Sequence, residues 1–430
     1  MNFKSGLLSA CLLGAAPWAA HAESLADALI VTEATNPQLD SGRADAAIAD
    51  EALTQARAAG RTTVNVTASA GGQQSETNQP FALVEGDAGL ANAQIDVARP
   101  IYTSGRVPAG IRSAKAGIDA ADLSLQDLRQ AIFFDVVTAY MDVVRDLEAV
   151  RIRRNNVDVL AEQLRAAEDR FNVGVVTRTD VKLSEARLEG ARANEASAQA
   201  QLESSRANYT FLVGQRPTDL VSPPDLPVPA TLEDTLTVVL SDNPTLNAAK
   251  ANERSAAEQV KVAKGSGGLQ VDIVGQASGQ EFYQDEQSPL RDTTLSALAR
   301  ARLPLWQGGL VRSQVREAKL RREQAKLQTQ NVERQVRAQT AAAWYAYISA
   351  QQAIIASERQ VEAAQVAFDG AREELSVGTR TTQDLLDAEQ DLLNARLTLV
   401  SSERDSYVAA ARLYQIMGSL TPEAVSAVAP

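Results

Sequence analysis

Four stretches of the chain alternate oil-loving and water-loving residues with a period of two. Val64, Val66, Ala68 and Ala70 share one side of the first, and Ala91, Ala93, Ile95 and Val97 share one side of the second. Leu269, Val271 and Ile273 do the same in the third, as do Leu295, Ala297, Ala299, Ala301 and Leu303 in the fourth. The residues between them are largely polar: Asn65, Thr67, Ser69, Asn92, Gln94, Asp96, Gln270, Asp272, Arg300 and Arg302. Such alternation predicts β-strands. At about ten residues each they are long enough to cross a bilayer, with lipid on the apolar side and water on the other. Four strands cannot close a barrel, and an open edge in hydrocarbon leaves costly unsatisfied backbone groups, so neighbouring chains must complete it. The competing reading is a water-soluble antiparallel sheet with one wet face.

Much of the remaining chain repeats with helical periods. Val107, Ile111, Ala114, Ile118, Ala121, Leu125, Leu128 and Ile132 alternate spacings of four and three, which is a coiled-coil seam. Val311, Ala318, Ala325 and Val332 recur at seven, with polar Arg322 and Thr329 interrupting, and a seven-residue period implies a left-handed supercoil. No proline interrupts Ala109 to Arg216 or Leu305 to Thr421. An unbroken helix from Ser104 to about Phe171 runs about 100 Å, a rod that no compact globule needs. The stretch from Ile132 to Val150 is apolar on more than one face and is expected to pack between neighbouring helices near the middle of that rod, an adaptor-binding surface being the alternative.

The two halves of the chain are copies of one unit. At an offset of 207, Ser24-Leu25 matches Thr231-Leu232 and Asn36-Pro37 matches Asn243-Pro244. At an offset of 204, Pro100 matches Pro304, Gly105 matches Gly309, Val173-Gly174 matches Val377-Gly378, Asp180 matches Asp384 and Gly214 matches Gly418. Each copy reads as a helix, two strands and a long helical stretch broken once. The expected divisions are a signal peptide over 1–22, a first repeat over 23–214, a proline-rich extended linker over 215–230, a second repeat over 231–418 and a tail over 419–430. The signal peptide rests on Lys4, the apolar run from Gly6 to Trp18 and the small-x-small site Ala20-His21-Ala22, with cleavage before Glu23. Leu8-Ser9-Ala10-Cys11 also fits a lipoprotein box, but its use leaves too short an apolar core. Beyond the leader no stretch approaches the roughly 18 apolar residues of a spanning helix, which argues against an inner-membrane protein.

Composition narrows the chemistry. Of 430 residues, 42 are Lys or Arg and 54 are Asp or Glu, for a net charge of -12, which argues against nucleic acid as a partner. The single cysteine, Cys11, and the single histidine, His21, fall in the leader, so the processed chain would lack disulfides, Cys or His metal sites and histidine-assisted nucleophiles. No cofactor is expected. Lys264-Gly265-Ser266-Gly267-Gly268 precedes a strand and reads as a flexible connector, and Gly308-Gly309 lacks the partners of a phosphate loop. Arg151, Arg153, Arg154, Arg321 and Arg322 read as solvated helix faces. Tyr102 and Trp306, equivalent across the repeat, follow strand ends and suit a membrane interface.

Each Val-Gly pair, Val173-Gly174 and Val377-Gly378, ends one helix, and Thr177-x-x-Asp180 and Thr381-x-x-Asp384 open the next as capping patterns. Capping accounts for both aspartates but not for Asp387, whose counterpart is Leu183, or for Arg380, whose counterpart is Val176. Asp384 and Asp387 share one helix face, so a ring-like assembly of several chains would carry two rings of carboxylates that attract cations and raise one another's pKa.

The segment Val377-Gly378-Thr379-Arg380-Thr381-Thr382-Gln383-Asp384-Leu385-Leu386-Asp387-Ala388, with Phe171-Asn172-Val173-Gly174 and Thr179-Asp180-Val181, resembles the TolC family of outer-membrane efflux and secretion channels. The resemblance covers about residues 23 to 420. It implies an α+β membrane protein: a homotrimer whose twelve-stranded β-barrel, four strands from each chain, continues as a long α-helical coiled-coil barrel through the periplasm. It also implies docking, through a periplasmic adaptor, on an inner-membrane transporter of the RND or ABC type, at helical tips that include Val173, Gly174, Val377 and Gly378. The matching gate positions are the clamp Arg380 facing Thr179 and Asp180, while Leu375 stands where the family has a tip tyrosine. The strand-joining loops near 75–88 and 281–293 would face outside the cell. The expected function is a passive exit duct for small molecules or unfolded protein, with no catalysis. The alternatives are a periplasmic coiled-coil adaptor or scaffold, and an exported hydrolase using Asp384 and Asp387 as an acid/base pair.

Overall fold

The computed structural model describes residues 23–79, 82–284 and 290–426. The expected leader, with Cys11 and His21, lies outside the described residues. The first half consists of α1 (Leu25–Thr35), α2 (Pro37–Ala58), β1 (Thr63–Gln79), β2 (Ala82–Tyr102), α3 (Arg106–Asn172) and α4 (Arg178–Val213). The second repeats that order as α5 (Leu232–Asp242), α6 (Pro244–Gly265), β3 (Gln270–Gln284), β4 (Leu290–Arg302), α7 (Leu310–Ser376) and α8 (Thr382–Met417), followed by α9 (Pro422–Ser426). Corresponding helices have identical lengths: 11, 22, 67 and 36 residues. At 67 residues, α3 and α7 each run about 100 Å. No helix among the described residues is long and apolar enough to cross a membrane.

The single helix expected ahead of each strand pair is in fact two. Proline disfavours helical backbone in the residue before it, so Asn36 and Asn243 take ψ of 119° and 120° and end α1 and α5. Each asparagine then caps the next helix, Asn36 Oδ1 accepting from Gln38 N–H at 2.9 Å and Asn243 Oδ1 from Leu246 N–H at 2.8 Å.

The four strands form one antiparallel sheet in the order β1-β2-β3-β4. They are longer than the expected ten residues. β1 and β2 stay paired from Thr63↔Ala98 out to Gln79↔Ala82, so the loop expected over 75–88 is mostly strand. Its residues pair through the backbone, which requires no alternation of side chains. Register aligns the alternation across all four strands. Val66, Ile95, Ala277 and Leu295 make one cross-strand row and Val64, Val97, Gly275 and Ala297 another, both on one side. The interleaved rows, Asn65-Asp96-Gln276-Ser296 and Thr67-Gln94-Ser278-Thr294, are entirely polar. Along β2 the apolar side is the open one: Ala93, Ile95 and Val97 are exposed while Asn92, Gln94 and Asp96 are half-buried. A water-soluble sheet is covered the other way round.

The glycines at 265–268 do not form the expected flexible connector. A Cβ on Gly267 would lie 2.6 Å from Val311 Cγ1, and one on Gly268 would lie 2.3 Å from Ser104 Oγ. These residues let both sheet-to-helix junctions, at Ser104 and at Val311, close onto the turn between α6 and β3, where Ser104 Oγ donates to Leu269 O at 2.7 Å.

The main core lies midway along the rods. Phe133, Val136, Val137 and Tyr140 of α3 are fully buried with Leu25 and Leu29 of α1, Tyr209 and Val213 of α4, Ala411 of α8 and Leu420. The apolar surround of Ile132 to Val150 is therefore core packing. The proline-rich segment is stapled to this core. Tyr140 Oη lies 2.6 Å from Val221 O and accepts from Val221 N–H at 3.0 Å, and Tyr414 Oη donates to Pro227 O at 2.6 Å. Glu23 is buried with its carboxylate accepting from Tyr209 Oη at 2.5 Å, Gln215 Nε2 at 3.1 Å and Thr218 N–H at 3.2 Å.

Candidate functional site: the helical tips

Two turns join the long helices at the end of the molecule remote from the sheet. In both, the glycine adopts the left-handed conformation that ends a helix, with φ of +78° at Gly174 and +79° at Gly378. The closing hydrogen bonds are those of a Schellman cap. Gly174 N–H donates to Phe171 O at 2.9 Å and Val175 N–H to Arg170 O at 2.9 Å; Gly378 N–H donates to Leu375 O at 3.2 Å and Thr379 N–H to Glu374 O at 2.9 Å. Val173 and Val377, each 74% exposed, stand at the apex of their turns.

The next helices start on reciprocal caps. Thr177 Oγ1 accepts from Asp180 N–H at 3.3 Å while the Asp180 carboxylate accepts from Thr177 N–H at 2.8 Å. Thr381 and Asp384 repeat the exchange at 3.2 and 3.0 Å. The Thr381 hydroxyl and amide, aided by Arg380, hold the Asp384 carboxyl below its ordinary range. Within one chain this runs opposite to the rise expected from crowded carboxylates, because the cap hydrogen bonds favour the ionised form.

Arg380 pairs with Glu374 across its own turn, Nε to Oε2 2.6 Å, and does not face Thr179 or Asp180 of the same chain. Thr179 is exposed in the first turn of α4, and the Asp180 carboxylate is taken up by Thr177. Asp387 is exposed on α8 and receives Arg187 of α4, Nη2 to Oδ1 2.8 Å, which bridges the two repeats. Neither Arg187 nor Glu374 stood out in the sequence. Comparing repeat-equivalent positions finds copies, and Arg187 and Asp387 are partners instead. At the opposite end of the rods Tyr102 closes β2 and is 52% exposed, while Trp306, in the turn after β4, is 80% exposed.

A family model described as outer membrane efflux protein matches residues 31–215 and 236–419, one stretch in each repeat. The outer membrane efflux protein BepC of Brucella suis is 29% identical over 408 residues, covering 94% of this chain and 87% of its own. The outer membrane protein TolC of Escherichia coli is 26% identical over 335 residues, covering 73% and 66%. The solved structure of CusC, a transmembrane channel, superposes with a TM-score of 0.80 at 14% identity over 91% of both chains.

Proposed function

The chain belongs to the outer membrane efflux protein family, and from that premise we propose that three copies form a passive outer-membrane exit duct gated at the helical tips. The chain is an outer-membrane channel protein of the efflux and secretion type, with its helices in the periplasm. The observation that carries the assembly is the sheet. Its apolar rows face outward and its outer strands β1 and β4 have no neighbour on their far sides among the described residues. In lipid those edges must pair, and three four-stranded sheets make a closed twelve-stranded barrel. Tyr102 and Trp306 then sit at the periplasmic membrane boundary. The duct carries cargo by size and charge and catalyses no reaction.

At the other end, threefold symmetry brings three copies of Asp384 and Asp387 around one axis. Such rings favour cations and narrow the passage. Arg380, exposed at the tip, is the releasable clamp toward Thr179 and Asp180 of an adjoining tip. The apices at Val173-Gly174 and Val377-Gly378 present the docking surface for a periplasmic adaptor and, through it, an inner-membrane transporter of the RND or ABC type.

Planar-bilayer recording tests the gate. Asp384→Ala combined with Asp387→Ala is expected to raise conductance and abolish cation preference, and Arg380→Ser is expected to leak more in the closed state. Unchanged ion preference would remove the rings from the account, and an unchanged closed state would remove the clamp.

A further inference from the structure

About two turns in from the tip, one carboxylate sits where a leucine is expected. Leu385, Leu386, Leu392 and Leu393 form the buried stripe of α8, and Leu386 packs with Leu160 of α3 and Leu188 of α4. Glu389 occupies the middle of that stripe, 6% exposed. Both of its carboxylate oxygens, and Asn156 Oδ1 on α3, are buried without a hydrogen-bond partner. An unpaired buried polar group costs on the order of 1–3 kcal/mol, and a charge more, so the site is poor as packing alone. The repeat counterpart, Glu185, is only half-buried and is paired with Lys182, so the buried carboxylate is a property of one tip only.

Glu389 and Asn156 line a cleft of about 280 Å³ whose other polar walls are Arg153, Arg187, Asn194 and Gln390. On the far side they meet Gln365 of α7 and Arg396 of α8. The cations on the walls of these two clefts are Arg153 from α3, Arg187 from α4 and Arg396 from α8, none of them hydrogen-bonded to the Glu389 carboxylate, and α7 offers only neutral Gln365 and Phe368. Arg396 is held by Gln365 Oε1 at 2.7 Å, and Arg187 by Asp387 at 2.8 Å. Guanidinium groups on the cleft walls disfavour a metal cation there, so the buried carboxylate is neutralised by a proton as it stands, or by an arginine that swings in from the wall.

We propose that Glu389 is a proton-operated competitor of Asp387 for Arg187, so that the protonation state of the helix bundle sets the charge of the tip. Burial pushes the Glu389 carboxyl up to about 7, so it is about 10% ionised one pH unit below that midpoint and about 90% one unit above. Protonated, it is a donor of the kind that buried Asn156 Oδ1 lacks, and Arg187 stays on Asp387. Ionised, it draws Arg187 from the shared cleft wall and leaves Asp387 without its cation. In a trimer three uncompensated Asp387 carboxylates attract cations, which raises the cation current through the tip. The device rests on the reading of the tips as the constriction.

The test uses the full-length trimer. Infrared titration between pH 5.5 and 8.5 follows the protonated-carboxyl band, while bilayer recording follows conductance over the same range. The expected result is a one-proton band near neutral pH that Glu389→Gln lacks, with a conductance and cation preference that rise across that range in the wild type but stay at their low-pH values in Glu389→Gln. Arg187→Gln gives a second arm if Glu389→Gln fails to assemble: it is expected to hold conductance at its high-pH value throughout. Absence of the band, or a conductance step that survives Glu389→Gln, overturns the proposal. A titrating band with constant conductance in the wild type also overturns the proposal, while the constriction reading stands or falls separately with Asp384→Ala combined with Asp387→Ala.

Discussion

A single lysine at Ile95 tests which side of the sheet meets lipid. From Ala301 at the helix end of β4 to Arg291, which pairs with Glu281, the outward rows span ten residues. That is about 34 Å along the strand and about 26 Å along the membrane normal at a tilt near 40°, close to the roughly 25 Å apolar band of an outer-membrane barrel. The row Val66-Ile95-Ala277-Leu295 lies near its centre, with Val66 71% and Leu295 85% exposed. Lysine at the bilayer midplane costs about 2–4 kcal/mol, hence about 6–12 kcal/mol for the three chains of a barrel. Gln94, the preceding residue, points the other way, beside Thr67 and Ser278 and within 2.8 Å of Asp96, so Gln94→Lys should cost about 0–1 kcal/mol. Refolding into phospholipid vesicles across a urea series, scored by the heat-sensitive trimer band on gels, measures both. Equal losses, or a larger loss for Gln94→Lys, would refute the lipid-facing assignment.

The same structure sets other expectations. Glu389 is raised from 4.5 to about 7, so between those values the folded chain holds a proton that the unfolded chain has released. Stability therefore falls as pH rises through that window and levels off above it, by up to about 3 kcal/mol per chain. Glu389→Gln should match the wild type in thermal unfolding at pH 4.5 and exceed it at pH 8; the reverse order would contradict the burial argument. Tyr209→Phe removes the hydroxyl 2.5 Å from buried Glu23 and should cost about 1.5–3 kcal/mol, read as a lowered Tm, with an unchanged Tm showing that Gln215 and Thr218 suffice. Gly378→Ala forces a side chain into φ of +79° and should cost about 1–2 kcal/mol, seen as faster hydrogen exchange of the Thr379 amide; unchanged exchange would mean the turn is not held by that cap.

Much of the architecture can be read from the chain because it is written in side-chain periods. The alternation of Val64 to Ala70 with Ala91 to Val97 survives intact in the register, and the caps at Thr177 and Thr381 form as their spacing implies. What escapes reading is held by backbone or by contact between distant segments. Residues 75–79 and 82–86 pair by their ladder, so their composition looks like loop. Gly267 and Gly268 have the composition of a linker, and only the approach of Val311 and Ser104 shows that they are tightly packed. The Arg187–Asp387 pair joins residues 200 apart that occupy different places in the repeat. Glu389 did leave a sign: a lone acid inside Leu385, Leu386, Leu392 and Leu393 breaks an otherwise apolar face.

The outward-facing apolar rows and the paired barrel edges they require are tested most directly by mass and conductance on one sample. The processed chain, extracted from outer membranes in detergent, should have the mass of three copies and insert into a planar bilayer as discrete cation-preferring steps. A monomer that stays in solution without detergent and never opens a conductance would contradict the account.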